Sequence, residues 1–253
     1  MQLYLMATPE QTRSLGRLRP PVAHIAYRIG DGSTLLRQNL PLKRQEGLLV
    51  ISDIQAPVVE QPDSLCQGVL RELGRHNYHG VLLDFEQAPT PDRQILVSQL
   101  DTVLQQHQKA LYLPPAYAPH SKQATILVNT AVSGGNFRQY LETCKTQYGN
   151  IALDVQRLQM DFILPATTGE GTSINAEVLT SLRKKYGSTT FFSHELCTRY
   201  FTYQQEGQTH FILYDDGETM LQKLRIGESI GVKIGFCVYH EVEDLLGVLF
   251  GKR

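Results

Sequence analysis

The chain has 253 residues, of which 42% are hydrophobic, and its formal net charge is −1. This length allows one sizeable core and is typical of a single eight-fold barrel of strands and helices. The near-neutral charge argues against a nucleic-acid-binding surface, because basic residues occur only in short runs such as Arg183-Lys184-Lys185.

Short apolar runs alternate with helical periodicity along the whole chain, which predicts a parallel sheet with right-handed crossovers. The predicted strands cover residues 3–7, 22–29, 47–54, 80–86, 110–114, 125–132, 157–164, 190–193, 211–214 and 233–239. The predicted helices cover residues 9–18, 63–76, 91–108, 135–147, 174–186, 217–230 and 241–250. We therefore expect residues 1–253 to form one α/β domain, a (β/α)8 TIM barrel with a small insertion hairpin near 197–210.

The spacing of the cysteines indicates whether a metal site or disulfide bonds are expected. The four cysteines are widely spaced, without a CxxC motif, so neither a zinc site nor a disulfide framework is predicted. We expect no metal and no cofactor.

The first residues lack a basic leader and an apolar stretch of signal-peptide length, and no run is long enough to span a membrane. This predicts a cytoplasmic protein without a membrane partner, with non-classical export and spore association as alternatives. The sequence leaves the oligomeric state open.

The segment 79–86 carries the strongest chemical signal. It is a short apolar strand that ends in Asp84 and Glu86. Residues i and i+2 of a strand share a face and lie about 6.6 Å apart along the chain, so the two carboxylates project together. Burying unpaired charge is expensive, and such a pair suits acid–base work on a sugar bond. The alternative is a strand that simply ends in a polar loop.

In such barrels the chemistry lies at the carboxyl ends of the strands. Polar and aromatic residues recur at the predicted strand ends, which indicates an elongated polar cleft. For Tyr27 and Tyr239, packing is the alternative interpretation, and for Asp161 it is a strand-end cap. The predicted substrate-binding residues are Tyr27, Asp53, Tyr117, Gln159, Asp161, Tyr239 and Glu241.

Four stretches together resemble one known family. The strand Gly80-Val81-Leu82-Leu83-Asp84-Phe85-Glu86 resembles the fourth-strand signature of the family 18 glycoside hydrolases, the chitinase-like barrels. Three further stretches are similar in order and spacing to later strands of that family: Tyr112-Leu113-Pro114-Pro115 to strand five, Gln159-Met160-Asp161-Phe162 to strand six, and Tyr214-Asp215-Asp216 with Gly235-Phe236-Cys237-Val238-Tyr239 to the last unit.

The resemblance implies a retaining, substrate-assisted hydrolysis of glycans that contain β-1,4-linked N-acetylglucosamine, either chitin-type or peptidoglycan. It implies that Glu86 is the general acid and then the base, and that Asp84 holds the acetamido group of the sugar. The partner is then a glycan with N-acetylated sugars, and neither a metal nor a cofactor is needed.

The chain departs from the family pattern at four positions. His79 replaces the family's first aspartate at the buried start of the strand, where a structural role is expected. Leu82 replaces the aspartate that shares a proton with the Asp84 position, so another group must hold Asp84, and Asp161 and Gln159 are the candidates. Met160 replaces a tyrosine, and Tyr239 replaces a tryptophan. These departures support a second hypothesis, a non-catalytic carbohydrate-binding barrel. A third hypothesis is a barrel hydrolase of unrelated specificity that uses the same two acids.

Overall fold

The computed structural model describes residues 1–38, 46–166 and 169–251, and all element bounds refer to these residues. The strands are β1 Gln2–Ala7, β2 Val22–Gly30, β3 Thr34–Arg37, β4 Leu48–Ser52, β5 Gly80–Asp84, β6 Ala110–Leu113, β7 Thr125–Asn129, β8 Ile151–Asp154, β9 Gln159–Leu164, β10 Thr172–Ser173, β11 Phe191–Ser193, β12 Thr198–Gln205, β13 Gln208–Tyr214 and β14 Ile234–Val238. The α-helices are α1 Gln11–Ser14, α2 Pro62–His76, α3 Pro91–Gln106, α4 Phe137–Tyr148, α5 Ala176–Tyr186, α6 Gly217–Ser229, α7 Tyr239–Val242 and α8 Leu246–Phe250.

A closed parallel barrel forms the body of the described structure. Its strands are hydrogen-bonded in the order β1-β14-β8-β7-β6-β5-β4-β2, and β2 pairs with β1 to complete the ring. The predicted (β/α)8 barrel is confirmed. None of the described helices is long and apolar enough to cross a membrane.

The longer helices begin and end where the sequence supplies caps. Helix α2 starts at Pro62, where the missing N–H costs nothing, and ends at Asn77 in the left-handed conformation. Helix α6 starts with a capping box in which the side chains of Asp216 and Thr219 bond each other's backbone N–H groups. The predicted helix 9–18 shortens to α1, and the predicted helix 241–250 breaks into α7, a 3-10 turn and α8.

The interior of the barrel follows the two-residue alternation of the strands. Because neighbouring residues point to opposite faces, one set fills the barrel and the other packs under the outer helices. The inward set forms a closed apolar cluster of Tyr4, Met6, Ala23, Leu48, Val50, Leu82, Tyr112, Ala152 and Phe236. The next inward position on β4, β5, β7 and β8 is polar. Side chains of Ser52, Asp84, Asn129 and Asp154 therefore line the mouth at the carboxyl ends of these strands.

A second, antiparallel sheet lies between β8 and β14 in the chain, in the order β10-β9-β13-β12-β11. Residues of α5 pack on one of its faces, in a cluster with Phe201, Ile212 and Tyr214. The predicted hairpin near 197–210 is confirmed as β12 and β13, although it belongs to a larger unit than expected.

The structure corrects the position of the predicted sixth barrel strand. The sixth strand of the barrel is β7, Thr125–Asn129, and the seventh is β8, Ile151–Asp154, which sequence patterning did not predict. The segment 157–164, expected in the barrel, instead provides β9 of the second sheet. Its alternating polar and apolar residues suit an antiparallel sheet with one wet face, whereas barrel strands are buried on both faces.

Candidate active site

Asp84 occupies the mouth of the barrel at the end of β5. Its backbone is in register with Ser52 on β4, and its side chain points inward above Leu82. Burial raises the pKa of the Asp84 carboxyl above its ordinary value, and the negative charges of Glu86 and Asp53 raise this pKa further. The carboxyl is therefore suited to hold a proton, or to accept a hydrogen bond from a ligand that replaces water.

Glu86 lies two residues beyond Asp84 and is exposed. Its backbone N–H donates to Oδ1 of Asp53 at 3.0 Å, and the N–H of Gln87 donates to Oδ2 of Asp53 at 3.3 Å. Tyr117 supports the same loop, since its hydroxyl donates to the carbonyl oxygen of Gln87 at 3.1 Å. The buried side chains of Asp53 and Tyr117 thus hold the backbone of the loop that exposes the Glu86 carboxylate to solvent.

Asp53 and Tyr117 were predicted to bind substrate, and the structure corrects both assignments. Each is completely buried, with an exposed fraction of 0%, so neither offers a surface to a glycan. Both bond the backbone of the loop that carries Glu86. Their role is to position that loop.

Asp154 is a member of the site that sequence analysis missed. It ends β8 and points inward above Ala152, and Nε2 of Gln156 donates to its Oδ2 at 2.7 Å. Asn129 on β7 in turn donates to Oε1 of Gln156 at 2.7 Å. Burial raises the pKa of Asp154 to about 6, with smaller contributions from the charges of Glu241 and Asp84. The short apolar run 151–153 that precedes it was the available signal.

Glu241, a predicted substrate-binding residue, lies in α7 close enough to Asp154 to act on its charge. One of its carboxylate oxygens, Oε2, is buried and has no hydrogen-bond partner among the described residues. The structure therefore brings Asp84, Glu86, Asp154 and Glu241 together at one end of the barrel. Within the described ranges, no group of three or more histidine, cysteine or carboxylate side chains is arranged to hold a metal ion.

Tyr27 and Tyr239, two further predicted substrate-binding residues, do not reach this site. Tyr27 is 3% exposed and lies in the cluster between the barrel and the outer helices, where its hydroxyl donates to Oε2 of Glu72 at 2.9 Å. Tyr239 is also buried outside the barrel, and its hydroxyl donates to Glu243 at 2.9 Å. Tyr27 occupies an outward position of β2, and Tyr239 is the first residue of α7, so both side chains have the packing environment of the alternative interpretation.

Asp161 and Gln159 were expected in the cleft and as partners of Asp84, and they lie instead on β9 of the second sheet. The Asp161 carboxylate is 3.0 Å from Nδ1 of His210 and accepts a 3.1 Å hydrogen bond from Tyr203. The Gln159 amide lies between the carbonyl oxygen of Ile174 and Nε of Arg157. Both side chains bond within the second sheet and its neighbours, and the likeness of 159–162 to a sixth barrel strand is wrong.

A cavity of about 740 Å³ opens where β2, β3 and the end of β4 meet, and Tyr27 is among the residues that line it. Ser52, which is in register with both Asp84 and Arg28, forms part of its wall. Apolar Ile54 and Leu36 are exposed on its rim. A cleft of this size and mixed character is suited to a small organic ligand.

No protein-family model and no curated protein sequence matches the chain. Solved structures do match. The spore cortex-lytic enzyme SleL of Bacillus megaterium is 13% identical, with a TM-score of 0.61 over 94% of this chain and 70% of that chain. The C-terminal domain of a chitinase from Desulfitobacterium hafniense is 16% identical, with a TM-score of 0.62 over 98% of both chains. A family 18 chitinase variant from Cycas revoluta, solved in complex with (GlcNAc)4, is 10% identical, with a TM-score of 0.61 over 98% and 97%. At these identities the likeness shows a chitinase-like barrel fold.

Proposed function

We propose that the chain is a divergent family 18 glycoside hydrolase that cleaves glycans containing β-1,4-linked N-acetylglucosamine. The observation that carries the proposal is the arrangement at the end of the fourth barrel strand. There, Asp84 is partly buried and its pKa is raised, while Glu86 two residues later is exposed. Two carboxyl groups in such different surroundings can take different roles in one acid–base reaction.

In the proposed mechanism, Glu86 gives a proton to the oxygen of the glycosidic bond as that bond breaks. The acetamido oxygen of the substrate attacks the sugar carbon of the breaking glycosidic bond, so the sugar itself supplies the nucleophile. Asp84, in its ionised form, accepts a hydrogen bond from the acetamido N–H and stabilises the positive charge of the cyclic intermediate. Glu86 then takes a proton from water, which opens the intermediate and regenerates the acid.

The loop geometry supports this assignment. Asp53 and Tyr117 hold the backbone of residues 86 and 87 through three hydrogen bonds, so the position of Glu86 is set by buried groups. A general acid must be held within hydrogen-bond reach of the oxygen it protonates. The solved structures of the same fold include spore cortex-lytic enzymes and chitinases, one with a bound (GlcNAc)4. Chitin-type oligomers and peptidoglycan fragments are therefore the substrates to test.

The decisive experiment compares the wild-type chain with Glu86→Gln on fluorogenic chito-oligosaccharides and on peptidoglycan fragments between about pH 4 and 8. We expect turnover in the wild type and a loss of at least about 100-fold in the variant. Glu142→Gln, which changes an exposed glutamate on α4, is the matched control and keeps full activity. Equal turnover by wild type and Glu86→Gln would refute the assigned acid.

A non-catalytic carbohydrate-binding barrel is the second candidate, and Leu82 is the observation that favours it. Leu82 is fully buried in the barrel, at the inward position directly below Asp84, where the family carries a proton-sharing aspartate. Binding of chito-oligosaccharides by calorimetry, with no turnover in the wild type and unchanged affinity in Glu86→Gln, would select this candidate. Turnover that does not need an acetamido group would instead indicate a hydrolase of another specificity.

A further inference from the structure

A second carboxyl group faces Asp84 across the mouth of the barrel. Asp154 ends the seventh barrel strand as Asp84 ends the fourth, and each follows by two residues a member of the closed interior cluster, Ala152 or Leu82. Residues two apart on a strand share a face, so both carboxyl groups point toward the barrel axis at the same end. The two groups are close enough for the charge of Asp84 to raise the pKa of Asp154.

The orientation of Asp154 is set by a short chain of hydrogen bonds. Gln156 donates to its carboxylate, and Asn129 on the neighbouring strand donates to Gln156, both at 2.7 Å. This chain holds the Asp154 carboxyl in one orientation, and Asn129 is itself fixed because its Oδ1 accepts from the N–H of Ala131 at 2.6 Å. A carboxyl group held in one orientation can interact with a facing group without losing further side-chain freedom.

The titratable groups around Asp154 are all acids. Glu241 on α7 and Asp84 on β5 act on its charge, and Asp154 in turn raises the pKa of Tyr140 on α4 and Cys237 on β14. No described lysine, arginine or histidine forms an ion pair with Asp154 or Asp84. Two buried carboxyl groups that face each other without a cation do not both ionise readily, and they titrate as a pair.

Burial raises the pKa of both Asp84 and Asp154, which suits this pair to hold a proton. Both carboxylate oxygens of Asp53 are occupied, because they accept the backbone N–H groups of Glu86 and Gln87. Glu86 is assigned to the glycosidic oxygen. The inward position below Asp84 belongs to Leu82, which can neither carry a proton nor accept a hydrogen bond.

We propose that Asp154 is a positioning residue for Asp84, and that the two carboxyl groups hold one proton between them. When Asp154 carries the proton, Asp84 is ionised and ready to accept the acetamido N–H. The proton exchanges with solvent, and no other bond forms or breaks. The catalytic consequence rests on the proposed function, whereas the shared proton does not. The role that the sequence offered to Asp161 and Gln159 thus belongs to a residue three strands around the barrel.

The first test reads the carboxyl groups directly, by NMR of protein labelled with ¹³C at the aspartate Cγ and titrated from about pH 3.5 to 8. We expect the Asp84 resonance of the wild type to follow a broad, two-step curve. In Asp154→Asn it becomes a single step shifted by about one unit to lower pH, because a facing negative charge is gone. Asp161→Asn, the control on the second sheet, leaves the curve unchanged.

The same titration contains a reciprocal arm. In Asp84→Asn, the Asp154 resonance shifts to lower pH by the same amount, since coupling between two sites is mutual. Circular dichroism shows whether Asp154→Asn folds. If it does not, the titration of Asp84→Asn still decides the test. An Asp84 curve that Asp154→Asn leaves in place, or an Asp154 curve that Asp84→Asn leaves in place, would overturn the proposal.

The second test uses kinetics. In Asp154→Asn, the acid limb of the kcat/KM profile moves to lower pH together with the Asp84 titration, and Asp154→Glu restores the broad limb. A purely structural role for Asp154 would lower kcat at every pH and leave the limb in place, which would contradict the proposal. If the NMR coupling is present and no glycan is cleaved, the shared proton stands and the proposed hydrolase fails. If cleavage depends on Glu86 and the coupling is absent, the hydrolase stands and the pairing fails.

Discussion

A buried ion pair between Lys223 and Asp215 connects the barrel to the second sheet, and its removal is the sharpest test of the fold. Nζ of Lys223 donates to Oδ2 of Asp215 at 2.7 Å and to the carbonyl oxygen of Thr130 at 2.9 Å. The two residues are 1% and 0% exposed. Asp215 also accepts the N–H of Leu158, just before β9, and the hydroxyl of Thr198 at the start of β12. This ion pair therefore joins α6, the residue after β7, the residue before β9 and the start of β12.

In Lys223→Met, Asp215 stays buried without its cation, and Thr130 loses a donor. Breaking a fully buried pair from one side costs about 3–5 kcal/mol, because the remaining charge has no compensation. At roughly 2–4 °C per kcal/mol for a chain of this size, the melting temperature should fall by roughly 6–20 °C. Differential scanning fluorimetry and urea denaturation measure both quantities.

The control is Asp244→Ala, which removes the exposed partner of Arg157 and should change stability by at most about 1 kcal/mol. The double variant Lys223→Met with Asp215→Asn should recover part of the loss, because the unpaired charge is gone while Leu158 keeps an acceptor. A loss in Lys223→Met no larger than that in Asp244→Ala would show that this pair does not anchor the second sheet.

Three further predictions concern the barrel mouth and its surroundings. Asp53→Asn should lower kcat/KM by roughly 10–100-fold on chito-oligosaccharides, because the loop that positions Glu86 loses a hydrogen-bond acceptor. Unchanged kinetics would show that Asp53 does not position Glu86. Tyr27→Phe should cost about 1 kcal/mol in urea denaturation by breaking the hydrogen bond to Glu72, while oligosaccharide affinity stays the same; weaker binding would return Tyr27 to the cleft. The raised pKa of Asp154 means that wild-type stability is lost as pH rises from about 4 through about 6. Asp154→Asn should therefore gain about 1–3 kcal/mol at pH 7.5 and much less at pH 4.5, and an equal gain at both would contradict the raised pKa.

The barrel could be predicted from the sequence because it depends on local patterns. Apolar runs alternate with helical segments, and the two-residue period of a strand places Leu82 and Asp84 on one face. Glu86 lies beyond the end of β5, so this period does not decide the direction of its side chain. The seventh strand escaped prediction because Ile151-Ala152-Leu153 offers only three apolar residues, too few for a period to show. Without that strand, Asp154 could not be assigned to the mouth. The prediction therefore gave residues 157–164 a place in the barrel, where they do not lie.

The orientation of the aromatic residues could not be predicted for a different reason. The pairing of β2 with β4 shifts by one residue between Ile25 and Tyr27, which reverses the faces of the residues that follow. Tyr27 then lies outside the barrel under α2, and the next residue, Arg28, takes the inward position beside Ser52. A one-residue shift of this kind leaves no mark in hydrophobicity, because Ala26 fits either face. Such positions are settled by pairing between strands that are distant in sequence.

The treatment of buried carboxylates differs between the mouth and the rest of the chain. Asp215 is paired with a lysine, and Asp161 lies 3.0 Å from a ring nitrogen of His210 and accepts a hydrogen bond from Tyr203, so each carboxylate has polar partners. At the mouth, Asp84, Asp154 and Glu241 have no described cation as an ion-pair partner, and burial raises the pKa of the first two. A fold under selection for stability alone would pair or remove such groups, since uncompensated buried acids are unfavourable. Their position at the carboxyl ends of the barrel strands, where this architecture places its chemistry, is the arrangement expected if the mouth carries the proposed reaction on a bound ligand.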